Sequence, residues 1–113
     1  RSTLFPYTTL FRSWLTLNLL KEIDREVPIP LVLHGGSNNP DSEIAESVTL
    51  GINKINISSD IKVAYFNKMR EVLKDAGLRE PNTIEPACIA AMKEVAAHKL
   101  ELFQTIGKAE LYK

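Results

Sequence analysis

The chain has 113 residues, of which 44% are apolar and 25% charged, a composition typical of a globular protein and not of a disordered or membrane-spanning one. Its basic and acidic residues number 14 each, so the sequence lacks the excess positive charge that nucleic-acid or membrane binding favours, and we expect neither partner. The single cysteine, Cys88, excludes an internal disulfide and favours a reducing, cytoplasmic setting.

The first 13 residues, RSTLFPYTTLFRS, show neither a helical nor a strand period. Pro6, Thr8 and Thr9 interrupt the apolar stretch that a signal peptide would need. The segment also resembles the translation of a sequencing adapter. We therefore interpret residues 1–13 as non-native and expect the native sequence over residues 14–113.

A helix and a buried strand are predicted at the start of the native part. Apolar side chains recur at three- and four-residue spacing along a helix that Pro28 ends, namely Leu17, Leu20, Ile23 and Val27. Residues 29–33 (IPLVL) are short and apolar and precede the pair Gly35-Gly36, as expected of a strand buried on both faces. This strand places His34 at its C-terminal end.

A second helix and strand follow. Asn39 can cap the helix, Pro40 suits its first position, and Asp41 is favourable at the positive end of the helix dipole. The buried face of this helix is predicted to hold Ile44, Ala45 and Val48. Gly51 is predicted to end it with a positive φ, and residues 52–57 (INKINI) predict the second strand.

Two further helices complete the chain. Ser58, Ser59 and Asp60 offer capping groups for a longer helix that closes near Gly77, and the last helix starts after the Pro81 break. Helical spacing places on their apolar faces Ile61, Tyr65, Met69 and Val72 in the first, and Ile84, Cys88, Met92, Val95 and Leu102 in the second.

The alternation of strand and helix predicts parallel βα units of an α/β fold. Two strands do not make a self-sufficient sheet, so we predict the last βα units of a TIM (β/α)8 barrel, incomplete, with a C-terminal covering helix. An open doubly wound sheet is the alternative. The barrel is favoured because polar residues follow both strands, where a barrel has its active face.

The segment His34-Gly35-Gly36-Ser37 lies directly after the first strand. A neutral imidazole is a good zinc ligand, successive glycines let backbone N–H groups approach an anion, and Ser37 adds a hydroxyl donor. The alternative is a tight turn with a hydrogen-bonded histidine, which these four residues alone favour by roughly two to one.

The second polar segment follows the second strand. Strand alternation turns Asn56 and Ser58 to one side, and the start of the next helix adds N–H donors. Together with the hydroxyls of Ser58 and Ser59, these donors suit a phosphate group. An ordinary serine cap beside a buried asparagine is about equally compatible with this segment alone.

The two loops occur in adjacent βα units, as LVLHGGS-x-x-P-D and then GINKINISSD. In this order they resemble the C-terminal region of class II aldolases, the family of fructose- and tagatose-bisphosphate aldolases, over about residues 15–113. The later segments IEPACIAAMKEV and LFQTIGKA are also similar to that family. The resemblance implies zinc-dependent, reversible cleavage of a ketose 1,6-bisphosphate, fructose or tagatose, into dihydroxyacetone phosphate and glyceraldehyde 3-phosphate.

The resemblance also implies roles for individual residues. His34 matches the last of three zinc-binding histidines. Asn56 matches the catalytic-site asparagine that orients the bound ketose and its enediolate. The residues matching the two phosphate-binding loops are Gly35, Gly36, Ser37, Ser58 and Ser59.

Other parts of the family's active site are expected outside this chain. The two remaining histidine ligands and the acid/base aspartate lie earlier in the barrel of relatives, so we expect little or no activity from the chain alone. Zinc chemistry needs no Schiff-base lysine, and no catalytic role is therefore assigned to Lys54, Lys62 or Lys68. The parent enzyme is expected to be a homo-oligomer.

The remaining candidate ligands have simpler interpretations. His98, in the last helix, is expected to be solvated or capping, and Cys88 to be part of the core. The carboxylates interpreted as helix-start or surface groups are Glu43, Glu46 and Asp60. Two alternative functions remain open: a metal-free, phosphate-binding barrel enzyme with His34 as its acid/base residue, and a non-catalytic phosphate-binding module.

Overall fold

The computed structural model describes residues 16–113, apart from the side chain of Asn38. The predicted non-native segment, residues 1–13, lies outside the described residues. The elements are, in chain order, α1 (Leu17–Glu26), β1 (Leu31–Leu33), a 3-10 turn (Gly36–Asn38), α2 (Asp41–Thr49), β2 (Ile52–Ile55), α3 (Ser59–Val72), α4 (Pro81–Leu102) and a second 3-10 segment (Lys108–Tyr112).

The described chain divides into two compact units. The first contains residues 16–57 and Glu101–Lys113, and the second contains Ser58–Leu100. The first unit therefore holds both strands, and the second holds α3 and most of α4. None of the helices within residues 16–113 combines the length and apolar character that a membrane span needs.

The two strands pair in parallel, with α2 as the crossover between them, and this confirms the predicted mixed α/β class. Strand β1 is shorter than the predicted run. Pro30 has no backbone N–H to donate and the Ile29 side chain is 67% exposed, so strand pairing begins at Leu31. The core of this unit is formed by Leu20, Leu31, Leu33, Ile44 and Ile52.

A β-bulge interrupts the register between the strands. The paired residues are Leu31 with Ile52, Val32 with Lys54, and Leu33 with Ile55. Asn53 is the residue that the register skips, and its Oδ1 accepts a hydrogen bond from the Leu31 N–H at 3.0 Å. The bulge lets both Ile52 and Ile55 pack against the core, which turns Lys54 to the opposite face of the sheet.

The start of α2 differs from the prediction. Asn39 does not cap the helix; its Nδ2 donates to the Gly35 carbonyl at 3.3 Å and closes the preceding loop. Pro40 is the N-cap instead of the first helical residue, and its carbonyl accepts the N–H groups of Glu43 and Ile44. The predicted cap at Asn39 is therefore wrong, because the loop uses that side chain.

Gly51 ends α2 as predicted, with a φ of +127°. This residue also permits a close contact with α1. A Cβ at this position would lie 2.5 Å from Cγ of Asp24, so both its conformation and its surroundings require glycine.

The second unit contains the helix pair α3 and α4. Helix α3 ends at Val72, several residues before Gly77, and its predicted apolar face is half-buried in this unit. Helix α4 starts at Pro81 and buries Ile84 and Cys88, as its spacing predicted.

Candidate active site

The end of the sheet brings His34 and Asn56 together. His34 follows β1 directly, and the Asn56 N–H donates to the Leu33 carbonyl at 2.9 Å, which extends the parallel pairing one residue past β2. The Asn56 Nδ2 then lies 3.0 Å from Nδ1 of His34. His34 is exposed, so its ring is not packed into hydrocarbon. The two side chains singled out at the ends of the two strands thus form one polar pair.

Lys54 adds a cation to this pair. Its Nζ donates to Oδ1 of Asn56 at 2.5 Å, so the Asn56 amide is held between an ammonium group and an imidazole. Lys54 and Asn56 are two residues apart on one strand and therefore project to the same side. Strand alternation alone places Lys54 beside Asn56, whereas the sequence-based interpretation considered Lys54 only as a Schiff-base lysine.

Gly35 and Gly36 shape the loop after His34 in different ways. Gly35 has a φ of +70°, in the left-handed region, and open space where a Cβ would point. At Gly36 a Cβ would lie 2.8 Å from Cγ2 of Ile55 and 3.3 Å from Cγ2 of Ile57. Backbone conformation therefore selects glycine at the first position, and close packing on β2 and its extension selects it at the second.

The Gly36 N–H is directed at the strand, where it donates to the Asn56 carbonyl at 3.2 Å. This hydrogen bond anchors the loop beside the histidine–asparagine pair. Ser37 follows in the 3-10 turn and is half-buried. Because the strand already uses the Gly36 amide, this N–H is not available to an anion.

Ser58 and Ser59 lie at the start of α3, in the second unit. Ser58 is the N-cap residue, and its carbonyl accepts the Lys62 N–H at 3.2 Å, but its hydroxyl makes no capping hydrogen bond. The predicted side-chain cap at Ser58 is therefore wrong, and both serines are exposed. Their place in a shared phosphate site stays a prediction.

The donor chemistry at this edge fits one ligand of a zinc site. An exposed imidazole with an accessible ring nitrogen is a suitable ligand, and catalytic zinc is usually held by three protein ligands. Within residues 16–113 no group of three histidine, cysteine, aspartate or glutamate side chains could hold a metal ion. His98 is exposed on α4, in the other unit. His34 can therefore serve only as part of a ligand set completed from elsewhere.

Comparison with known proteins identifies the family of this chain. Residues 6–108 match the family described as fructose-bisphosphate aldolase class-II. The chain belongs to the class II aldolase family. The predicted family resemblance is thereby confirmed.

Individual members of the class II aldolase family show the same relationship. The chain is 43% identical over 91 residues to a 6-phospho-5-dehydro-2-deoxy-D-gluconate aldolase of Bacillus licheniformis, covering 80% of this chain and 31% of the relative. It is 34% identical over 105 residues to a fructose-bisphosphate aldolase of Ureaplasma parvum serovar 3, covering 86% and 36%.

The crystal structure of the YdjI aldolase from Escherichia coli K12 matches the fold with a TM-score of 0.75 and 35% identity, covering 84% of this chain and 36% of that one. The chain thus spans about a third of the length of these class II aldolase relatives.

Two residues that no sequence motif singled out also shape the described part of the chain. Asn53 forms the bulge that sets the side-chain faces of β2. Lys99 is only 7% exposed, and its Nζ lies 2.9 Å from Oδ2 of Asp60 in the first turn of α3. No local pattern marks either role, because both depend on partners distant in the sequence.

Proposed function

We propose that this chain is the C-terminal part of a zinc-dependent class II aldolase, formed by the last βα units of a TIM barrel. The parent enzyme would reversibly cleave a ketose 1,6-bisphosphate, fructose or tagatose, into dihydroxyacetone phosphate and glyceraldehyde 3-phosphate. The observation that supports this best is the 3.0 Å contact between Nδ1 of His34 and Nδ2 of Asn56 at neighbouring strand ends. It joins a candidate ligand to a candidate substrate donor at one edge of the sheet.

His34 would be one of three zinc ligands, the other two being supplied by residues beyond those described. When bound there, zinc supplies Lewis-acid polarisation of the substrate carbonyl. Asn56 lies beside the ligand and carries an amide N–H that can donate to a substrate oxygen. We assign it the task of orienting the ketose, because a fixed donor is most useful where negative charge develops.

We propose phosphate-binding roles for the loop after His34 and, separately, for the start of α3. In the loop, Gly36 acts mainly through close packing, since its N–H already bonds to the Asn56 carbonyl. Ser58 and Ser59 are exposed. The Ser58 hydroxyl makes no capping hydrogen bond to the helix, so it is available to a ligand. Helix N-termini bind phosphate through their N–H groups, which supports this use of α3. The phosphate-binding set is Gly35, Gly36, Ser37, Ser58 and Ser59.

The names of the relatives define the substrates to compare. One matched aldolase is named for 6-phospho-5-dehydro-2-deoxy-D-gluconate and another for fructose bisphosphate, so phosphorylated sugars are common to both names. Within that class we propose a ketose bisphosphate. We also propose that the parent enzyme is a cytoplasmic homo-oligomer.

The test uses the full-length protein that carries this sequence. Purified protein is assayed with fructose 1,6-bisphosphate, tagatose 1,6-bisphosphate and 6-phospho-5-dehydro-2-deoxy-D-gluconate, before and after chelation and with zinc restored. We expect turnover of a ketose bisphosphate that chelation abolishes and zinc restores. Chelation-resistant turnover would favour the metal-free enzyme, and phosphate binding without turnover the non-catalytic module.

Two variants test the residue roles in the same protein. His34→Ala should lose bound zinc as well as activity, whereas Asn56→Ala should keep the metal and lower kcat about 10²–10³-fold, the usual effect of removing a donor to a developing oxyanion. His98→Ala is the matched histidine control and should retain both metal and rate. Full zinc content in His34→Ala would contradict the ligand assignment.

A further inference from the structure

We propose that Lys54 is a positioning residue: through Asn56 it fixes which nitrogen of His34 carries the proton. The inference uses three groups of the first unit, linked by the contacts from Nζ of Lys54 to Oδ1 of Asn56 and from Nδ2 of Asn56 to Nδ1 of His34. Only its consequence for metal binding rests on the proposed function.

The first step is the orientation of the Asn56 amide. An ammonium group has three N–H donors and no acceptor, so the atom of Asn56 that faces Lys54 must be the carbonyl oxygen. The oxygen and nitrogen of an asparagine are otherwise assigned from such partners. Lys54 therefore decides the amide orientation and directs the NH₂ group toward His34.

The second step is the tautomer of His34. The Asn56 NH₂ group can only donate, so Nδ1 of His34, 3.0 Å away, must accept with its lone pair. A neutral imidazole has one donor nitrogen and one acceptor nitrogen, and the proton then lies on Nε2. Turning the Asn56 amide over would place its oxygen against Nδ1 and favour the opposite tautomer.

The third step is the placement of Lys54 itself. The bulge at Asn53 pairs Lys54 with Val32 across the sheet and keeps Ile55 with the core, so Lys54 shares a face with Asn56. Lys54 is exposed and does not contribute to the buried core. Its side chain hydrogen-bonds to Asn56, so Lys54 can be replaced without removing core packing.

A metal ion binds a neutral imidazole through the nitrogen that carries no proton. With the proton on Nε2, that atom of His34 is Nδ1, and a metal ion bound there would replace the hydrogen bond from Asn56. Lys54 would therefore determine, through Asn56, which nitrogen of His34 is available to a metal ion.

The direct test is an NMR measurement of the tautomer, independent of enzyme activity. The 113-residue chain is labelled with ¹⁵N at histidine, and two-bond ¹H–¹⁵N correlations are recorded at about pH 9, where histidine is neutral. We expect the Nε2–H tautomer for His34 in the native chain. Lys54→Met should shift its ¹⁵N resonances toward a mixture, whereas Lys54→Arg, which still offers only donors, should retain the native pattern.

Two further variants complete the test. Lys21→Met, an exposed lysine on α1, should leave the His34 resonances unchanged. Asn56→Asp presents only acceptors to Nδ1 and should convert His34 to the Nδ1–H tautomer, so a visible shift is expected even if Lys54→Met disturbs the strand. A native Nδ1–H tautomer, or an unchanged pattern in Lys54→Met, would overturn the inference.

Zinc binding separates this inference from the proposed function. In the full-length protein, Lys54→Met should keep bound zinc, as Asn56→Ala should, because Nδ1 of His34 can still bind the metal ion. If the native protein shows the expected tautomer but binds no zinc, the proposed function fails while the positioning role of Lys54 stands.

Discussion

Gly36 is the residue where the loop beside His34 meets the strand most closely. Its missing side chain leaves room for Cγ2 of Ile55, 2.8 Å from where a Cβ would lie, and its N–H bonds to the Asn56 carbonyl. Gly36→Ala should push the loop away and cost about 1–3 kcal/mol, as overpacking usually does. Urea unfolding followed by circular dichroism measures this loss.

Gly35→Ala is the matched control for that prediction. Gly35 has open space around its Cβ position but a φ of +70°, so alanine there carries backbone strain of about 1 kcal/mol and no clash. Gly35→Asn should cost less than Gly35→Ala because asparagine tolerates the left-handed region. Equal losses at Gly35 and Gly36 would show that the contact with Ile55 is not the determining factor.

Tyr65 gives the second unit a pH dependence in the alkaline range. Partial burial, followed by the nearby Glu85 carboxylate and Cys88 thiol, raises the pKa of Tyr65 above its usual 10.0. Below about pH 10 both folded and unfolded chains keep the proton, so this contribution is fully present there. As the pH rises further the unfolded chain ionises first, and stability is lost through the pKa of the folded state.

Tyr65→Phe should remove this loss while keeping the ring contact with Phe66, whose centroid lies 5.2 Å away. The measurement is the urea midpoint of native and variant chains on either side of about pH 10. Tyr112→Phe, at a position 88% exposed, is the control and should follow the native curve. An identical alkaline decline in native and Tyr65→Phe chains would be inconsistent with the raised pKa.

At the scale of the elements, an ion pair ties α4 to the first turn of α3. Lys99 is 7% exposed and Asp60 31% exposed, with 2.9 Å between Nζ and Oδ2. Asp60→Asn takes a carboxylate away from a buried ammonium group. We expect a loss of about 1–3 kcal/mol in unfolding free energy, below the range for fully buried pairs because Asp60 is partly solvated.

The exposed pair of Lys68 and Glu71 on α3 provides the comparison. Their atoms lie 3.1 Å apart, but the side chains are 36% and 64% exposed. Glu71→Gln should therefore change stability by no more than about 0.5 kcal/mol. If both substitutions had the same small effect in thermal or urea unfolding, the burial of Lys99 would not make its ion pair more stabilising than an exposed one.

The sequence predicted the order and kind of the main elements because apolar spacing and the positions of proline and glycine are local signals. It also predicted that His34 and Asn56 follow adjacent parallel strands, and the structure places them in contact. The sequence-based prediction was wrong where a side chain can hydrogen-bond to more than one partner. Asn39 bonds to the Gly35 carbonyl instead of capping α2, and no local pattern distinguishes these two uses.

Local sequence patterns also did not predict on which face of the sheet each residue of β2 lies. The sequence gives the alternation of β2 but not the residue at which the register slips, so the bulge at Asn53 was not predicted. Burial of Lys99 depends on its ion pair with Asp60, which lies on a different helix and far from Lys99 in the sequence. Both features are set by tertiary pairing, and single-sequence periodicity contains no information about them.

At the scale of the whole molecule, the described residues hold one credible metal ligand, and the chain spans about a third of its relatives' length. The 113-residue chain by itself should therefore bind zinc weakly and show little or no aldolase activity. Isothermal titration with zinc and a coupled aldolase assay measure both. Turnover by the purified chain that a chelator abolishes would contradict this prediction, as would assembly of copies that supplies the missing ligands.

The bulge in β2 makes the chain unequally sensitive to shortening. Asn53 is the one residue of β2 that the register skips, so a chain lacking it can form an uninterrupted ladder with every neighbouring side chain still on its present face. Deleting Ile55 instead would carry Asn56 toward the core and remove a packed side chain. A deletion scan scored by soluble expression should therefore find position 53 the most tolerant of the strand, although its side chain hydrogen-bonds to Leu31.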